Sequence, residues 1–319
     1  MKFIKKNYLY ISFIILVSLT LRIYNLNFDD FWFDELASLW IADPSISFDE
    51  TLERNIKINK GPHLIFTIIL KYFFLLFGYN PDIARIVPLI FGLLSVPAII
   101  YLIILLDKNK SWILIGFLIS INYYLISYSQ ELRSYSLSFF LSIISIIFFL
   151  KTLNKNNFIY NFLFYLSSLI AVINHVFVFI IIFSQFLFLL FYYTKDKKIF
   201  FIISFNILLI FLTYLFFMYE TLLTQMNIKD FWIRNIELDF LIDFYFSRFF
   251  GSKIMGAIYL FTLLYILWIK KEDLLSHNKK LILFLLILVN SYFLPITYSF
   301  ISTPILTDRY IIFVLIPIL

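Results

Sequence analysis

Residues 62–77 read PHLIFTIILKYFFLLF, and whether this segment crosses a membrane decides the side on which every later loop lies. At 1.5 Å per residue, 16 residues reach about 24 Å, short of the roughly 30 Å hydrocarbon core. Lys71 also falls inside it. The rest of the chain asks for a membrane. Of 319 residues, 62% are hydrophobic and only 14% charged, against about 25% charged in a soluble domain. Runs such as YLIILL (101–106) and FVFIIIF (177–183) do not alternate as the strands of a closed barrel would. The fold class is therefore an all-α polytopic membrane protein.

Apolar segments at 8–26, 83–106, 111–128, 134–151, 158–174, 176–193, 199–219, 253–270 and 280–300 predict spanning helices. A further one begins near 310, giving about nine or ten spans. The first, MKFIKKNYLYISFIILVSL, resembles a signal peptide but lacks a small-residue cleavage site, so it is read as a retained helix. Lysines then orient the chain. If 62–77 does not cross, DKNK (107–110), Lys151–Lys155, TKDKK (194–198) and KKEDLLSHNKK (270–280) share the side of Lys2, Lys5 and Lys6. That side carries 14 lysines, no arginine and 4 acids, a net of +10, while the other keeps 12 bases and 16 acids, a net of −4. A crossing at 62–77 would flip every later lysine loop outward, against the positive-inside rule. So 62–77 is predicted to lie along the outer interface with Lys71 snorkelling, and the N-terminus is placed in the cytoplasm of a multi-pass cell-membrane protein. The overall charge of +6 then follows from topology and implies no nucleic acid.

The same assignment brings Arg22, Arg54, Arg85, Arg133, Arg234, Arg248 and Arg309 to the outer face. Topology explains lysines inside; it does not explain arginines outside. A guanidinium suits bidentate capture of phosphate or carboxylate, so an anionic ligand competes here with plain anchoring to lipid headgroups. The first outer loop, 27–61, contains FWFDELASLW (31–40), where Asp34 and Glu35 precede one apolar helical face at Leu36, Leu39 and Trp40. A helix cap would use one carboxylate and leave the other unexplained. SFDE (47–50) reads as a capping box. Lys60 and His63 flank the Gly61-Pro62 turn. A second polar interruption, SYSQELRSYSL (127–137), places Glu131, Arg133 and Tyr135 at the start of a helix whose next turns are apolar, an arrangement that points to protein or a cavity rather than water. His175 sits at an outer hairpin, where a lone histidine is commonly structural. Asp308, Arg309 and Tyr310 enter the last helix from outside, and the loop 220–250 reads as amphipathic, lying over the outer surface.

With 0 cysteines, disulfides, thiol nucleophiles and thiolate metal sites are excluded. No G-x-G-x-x-G, Walker A, H-E-x-x-H or G-x-S-x-G occurs, which removes nucleotide-driven transport and zinc hydrolysis in their usual forms.

In this order, the residues resemble the GT-C glycosyltransferases that use polyprenyl-phosphate-linked sugars, in particular protein O-mannosyltransferases and lipid A aminoarabinose transferases. The similarity covers nearly the whole chain. It rests on the Asp34-Glu35 pair, on the turn GPHLIF (61–66), which is similar to hPPLyy, and on LFGYNPDIARIVPLIFGLLSV (76–96) with its G-x-x-x-x-x-x-R spacing. It rests further on YSQELRSYSL (128–137), close to ysqEaRmYsL, and on the late Arg309-Tyr310. Relatives often carry His-Pro-Pro or Lys-Pro-Pro at the turn and continue past the Arg-Tyr segment, whereas this sequence ends at Leu319, as a fragment or a shortened member would.

The resemblance implies a transmembrane module with two juxtamembrane helices in the first loop. It also implies inverting sugar transfer from a polyprenyl-phosphate donor to a lipid, glycan or protein acceptor of the cell envelope. On that reading Asp34 is the base and Glu35 orients a substrate. Lys60, Arg133 and Arg309 face the phosphate, and Glu131 positions Arg133 or contacts sugar, with His63, Tyr135, His175 and Tyr310 completing the site. No cofactor is required, although a divalent ion on Asp34, Glu35 and Glu131 stays open. A polysaccharide polymerase or ligase is the nearest alternative, and a lipid or solute transporter the next.

Overall fold

A computed structural model describes residues 2–59, 63–106, 111–155, 157–226, 233, 235–269 and 279–319. Lys60, Gly61, Pro62 and Arg234 fall outside the described residues, so the expectation for Lys60 lies outside them too. The described residues are helical throughout, with no strand. Among them, Pro81–Leu106, Tyr135–Asn154, Lys197–Leu223 and Lys279–Ile301 are long and apolar enough to cross a membrane. Ser111–Ile121 and Tyr123–Gln130 make a fifth if the bent pair is counted as one span. This is fewer than the nine or ten expected. At Asn174-His175 a polar break leaves Phe158–Asn174 and Val176–Tyr192 at 17 residues each, about 25 Å long.

In chain order the helices are α1 (Lys2–Ile23), α2 (Phe33–Ile41), α3 (Phe48–Asn59), α4 (Leu64–Phe77), α5 (Pro81–Ala84), α6 (Ile86–Leu106), α7 (Ser111–Ile121), α8 (Tyr123–Gln130) and α9 (Tyr135–Asn154). They continue with α10 (Phe158–Asn174), α11 (Phe179–Tyr192), α12 (Lys197–Met226), α13 (Leu238–Asp243), α14 (Phe246–Phe249), α15 (Lys253–Ile269), α16 (Lys279–Ile301) and α17 (Leu315–Ile318). The chain end, expected as a membrane entry near 310, is a 3-10 segment, Asp308–Val314, with Ile311 to Val314 buried in the core.

Helix α9 is the axis of the bundle. It is buried on nearly every side, packing against α6 and α10, while α10 also packs on α12 and α11 on α16. An all-round apolar helix has no solvent face to expose, and the serines along α9 are absorbed locally: Ser142 donates to the Ser138 carbonyl, and Ser145 pairs with Ser168 at 2.8 Å. Gly92 lets α6 approach α8, because a Cβ there would fall 2.4 Å from Ser129 Cβ.

Two breaks shape one end of the bundle. Between α7 and α8 the axis bends by 51°. Asn122 starts the new helix by accepting from the Leu125 amide at 3.0 Å. The carbonyls left free at the end of α7 receive Arg22, whose guanidinium donates to Ser120 and Ile119 oxygens at 2.9 and 3.3 Å. A cation on the carbonyl end of a helix is favourable, which accounts for a buried arginine with no ion-pair partner among the described residues. The second break, 131–134, was expected as the start of a helix. Helix α9 begins instead at Tyr135, since Glu131 is extended and the Ser134 hydroxyl is engaged by His63.

Helix α4 keeps both ends at this same end of the bundle. His63, just before it, meets Asn174 and Ser134, and Tyr79, just after it, donates to the Leu39 carbonyl at 3.3 Å. Lys71 does not snorkel. It is buried and donates to the carbonyls of Asp43 and Ile46 at 2.7 and 2.9 Å, because the first loop folds back over α4 and supplies acceptors closer than water. At the opposite end, Lys280 donates to the Leu105 carbonyl, Lys279 lies over Tyr192 and Lys151 over Tyr101. These lysines and the arginines described here thus occupy opposite ends of the bundle.

Candidate functional site

The polar breaks, the first loop and the chain end meet at one place. Helix α2 opens at Trp32, in extended conformation, and presents Asp34 and Glu35 in its first turn. The two adjacent carboxylates have opposite fates. Glu35, at N3, accepts from the Trp32 amide at 3.4 Å, so Glu35 and not Asp34 meets the capping need. It is 1% exposed, and its two oxygens take a fork from Arg85 Nε and Nη2 at 2.9 and 2.8 Å, plus the Leu132 amide at 2.7 Å. Arg85 itself, 4% exposed, also gathers the carbonyls of Leu26 and Asp29 and lies over Phe31. Glu35 therefore ties the first loop to the α5–α6 junction and to the α8–α9 break. Its acceptors are occupied by protein, in contrast to the substrate-facing place expected for it beside Asp34.

Asp34 keeps 27% of its side chain exposed, with Oδ2 3.5 Å from Arg309 Nη1. That separation is longer than a charge-assisted hydrogen bond of about 2.8 Å. Arg309 is bracketed by the rings of Trp32, Tyr135 and Tyr310 at 5.6, 5.8 and 6.0 Å. Arg133, expected to face a phosphate, is buried, and its Nη1 is turned to the first loop. It donates to the Asp34 carbonyl at 3.1 Å, Ser38 Oγ at 3.2 Å and Asn59 Oδ1 at 3.4 Å. No ion pair joins the Glu131 and Arg133 side chains among the described residues; their link is a backbone bond from the Arg133 amide to the Glu131 carbonyl at 2.7 Å. Arg133 holds Asp34 from behind.

Beneath lies a knot of buried polar rings. His63 has φ +73°, an uncommon conformation for a residue with a Cβ. It is held there because its amide donates to the Asn174 carbonyl at 2.8 Å and its Nδ1 pairs with Ser134 Oγ. Asn174 in turn accepts from the Phe66 amide and donates to Ser138 Oγ. The His175 ring stands 5.6 Å from that of His63 and 5.1 Å from Tyr310, with Tyr135 at 6.1 Å. Burial, with the Arg133 and Arg309 charges adding to it, pushes His175 down to about 3, and burial holds His63 well below the ordinary histidine value. Both imidazoles are neutral at physiological pH.

Glu131 differs from both other carboxylates. Its Oε1 is buried with no hydrogen-bond partner. Burial, reinforced by the Glu35 and Asp34 charges against those of Arg133 and Arg309, pushes it up to about 7. It lines a cleft of about 420 Å³ together with Tyr124, Tyr128, Arg248, Lys253 and Asp308.

No family model, curated protein or solved structure matches this chain. The site thus stands on its own geometry. Asp34, Glu35, His63, Glu131, Arg133, Tyr135, His175, Arg309 and Tyr310 are brought into one neighbourhood from five separate stretches of sequence. Among the described residues no group of three or more acidic and histidine side chains is placed to hold a metal ion, and the trio Asp34, Glu35 and Glu131 is divided by Glu35's commitment to Arg85. Sequence reasoning missed Ser134 and Asn174 as the fasteners of His63, and it missed the cleft tyrosines. Asn174 had a signal, as a polar residue closing an apolar helix; Tyr124 had none among 22 tyrosines.

Proposed function

We propose that this protein is a membrane glycosyltransferase of the GT-C type, moving a sugar from a polyprenyl-phosphate donor to a hydroxyl acceptor with inversion. One observation carries the reading: Asp34 is a partly exposed carboxylate on a rigidly anchored turn, 3.5 Å from a guanidinium, while its neighbour Glu35 is fully committed to the protein. Inverting transfer uses a carboxylate base on one face of the sugar and a cation at the leaving group on the other, roles these two side chains take once substrate separates the pair. The acceptor oxygen attacks the anomeric carbon as its proton passes to a carboxylate. The bond from that carbon to the phosphate oxygen breaks, and the electron pair leaves on the phosphate, where a nearby cation stabilises the growing charge. Asp34 is the base in this scheme and Arg309 the cation. Arg133, Glu35 and Arg85 hold the turn that carries Asp34. The lipid carrier delivers an already activated sugar at membrane depth, so no nucleotide-binding loop is required.

The test is transfer in proteoliposomes from a hexosyl polyprenyl phosphate. Asp34→Asn removes the base while keeping shape, and turnover should fall by about 10²–10⁴-fold with insertion and melting behaviour retained. Near-normal turnover in Asp34→Asn would remove it as the base.

A further inference from the structure

The cleft beside Glu131 carries a second set of residues that the transfer scheme leaves unused. Its walls come from α8 (Tyr123, Tyr124, Ser127, Tyr128) and from the α14–α15 turn (Ser247, Arg248, Gly251, Ser252, Lys253), with Glu131 and Asp308 completing them. At about 420 Å³ it falls in the range of small-molecule sites, roughly 300–1,000 Å³. One polar atom of its lining, Glu131 Oε1, is buried without a partner. The Tyr128 ring lies 4.6 Å from that of Tyr124, and the two tyrosine hydroxyls have one another as neighbours. Buried polar groups are ordinarily paired, so an orphan carboxyl oxygen beside that hydroxyl pair marks a place where a ligand supplies the partner.

The chemistry of the remaining lining narrows the ligand. An alkyl chain would leave Glu131 Oε1 unsatisfied. A bare phosphate would find Lys253 but would meet Arg248 already paired with Asp308 at 3.2 Å, and the Glu131 carboxyl in the same lining. A saccharide ring fits better. Its hydroxyls both donate and accept, matching Tyr124, Glu131 and the Arg248–Asp308 pair, and its C–H face suits the exposed tyrosine ring at 123, which packs over Gly251. Aromatic surface with a few fixed polar groups is the usual composition of such a site.

We infer that this cleft is a saccharide-binding site in which Tyr124, Glu131, Arg248 and Asp308 recognise the hydroxyls of one sugar ring. The ring belongs either to a lipid-linked donor or to a glycan acceptor. The site extends the proposed function by naming what the cleft holds, and its occupancy is measured separately from transfer.

The chain has 0 cysteines, so Ser252→Cys at the exposed rim gives one reactive thiol. Its alkylation rate is followed in nanodiscs with methyl glycosides of hexoses, pentoses and amino sugars, with a hexosyl decaprenyl phosphate, and with decaprenyl phosphate alone. Protection by a free glycoside identifies a glycan acceptor site; protection by the lipid-linked sugar alone identifies the donor's sugar. Tyr124→Phe, which keeps the ring against Phe249, and Arg248→Ala, whose side chain is 59% exposed, should each weaken protection roughly threefold to tenfold. Equal protection by bare decaprenyl phosphate, or protection by none of the panel, overturns the inference. Sugar protection without transfer would leave the cleft standing and remove the transferase reading; transfer without protection would do the reverse.

Discussion

Replacing Glu35 by alanine tests whether the two adjacent acids have been assigned correctly. The substitution removes both bonds of the Arg85 fork, at 2.9 and 2.8 Å, and the acceptor of the Leu132 amide at 2.7 Å. Removing one partner of a buried ion pair costs about 3–5 kcal/mol, and an orphaned buried amide adds about 1 kcal/mol. Arg85 keeps the Leu26 and Asp29 carbonyls and the face of Phe31, which offsets part of the loss. The net expectation is a destabilisation of about 3–4 kcal/mol. Asp34→Asn touches only a partly exposed pair at 3.5 Å and should cost less than about 1 kcal/mol. Thermal unfolding of both variants in the same detergent, beside transfer in proteoliposomes, separates the effects. Glu35→Ala should melt clearly earlier, whereas Asp34→Asn should melt like the parent and fail to turn over. If Glu35→Ala melts normally and only turnover is lost, Glu35 acts on substrate and its assignment as an anchor is wrong.

Other expectations follow from individual contacts. Glu131 titrates near 7 in the folded protein against an ordinary 4.5, so the native state holds its proton more tightly, and the stability it contributes below pH 4.5 is lost as pH rises to about 7. His175 runs the other way, contributing above 6.5 and losing that contribution as pH falls toward 3. His63 and His175 still gain over pH 6.5–7.5 and offset that loss, so melting temperature is compared with the parent there: Glu131→Gln should make it rise with pH more steeply than the parent; an unchanged slope would show that Glu131 does not titrate there. Gly92→Ala puts a methyl 2.4 Å from Ser129 Cβ and should destabilise by about 1–3 kcal/mol, read as loss of folded protein on size exclusion. Cysteines placed at Ser45 and at Ser252 should react with an impermeant maleimide from one face of intact vesicles and one at Thr194 from the other. Labelling of positions 45 and 252 from opposite faces would refute a common site.

What the sequence disclosed was whatever obeys a period or a side rule. Apolar runs gave the helices, the lysine turns gave the separation of lysines from arginines along the bundle, and SFDE gave the start of α3, where the Glu50 amide bonds Ser47 Oγ at 3.1 Å. The breaks were less legible because tertiary partners decide them. Nothing local in ELRS says that residues 131–134 stay out of a helix; the Leu132 amide is instead taken by Glu35, 97 positions away. Lys71 was misread for a related reason. An amine in an apolar helix reads as reaching for water, and only the fold reveals two nearer carbonyls.

The arginines show why the charge pattern was informative about place yet misleading about role. A guanidinium at a membrane surface suggested capture of an anionic ligand, and four of these side chains are instead scaffolding: Arg22 on the end of α7, Arg54 on the Trp40 carbonyl, Arg85 on Glu35 and the loop carbonyls, and Arg133 on the Asp34 carbonyl. Both uses draw on the same fork of donors, so composition alone does not separate them. The scaffold nonetheless serves the chemistry. A base must be held to within a fraction of an ångström of its productive position, and polar interactions this close to lipid are worth more than in water. Arg54, Arg85 and Arg133 donate to the first loop and α2, fixing Asp34 from behind and leaving its carboxylate facing Arg309. The cations that could not be told from ligands are therefore what turns an ordinary surface aspartate into a candidate base.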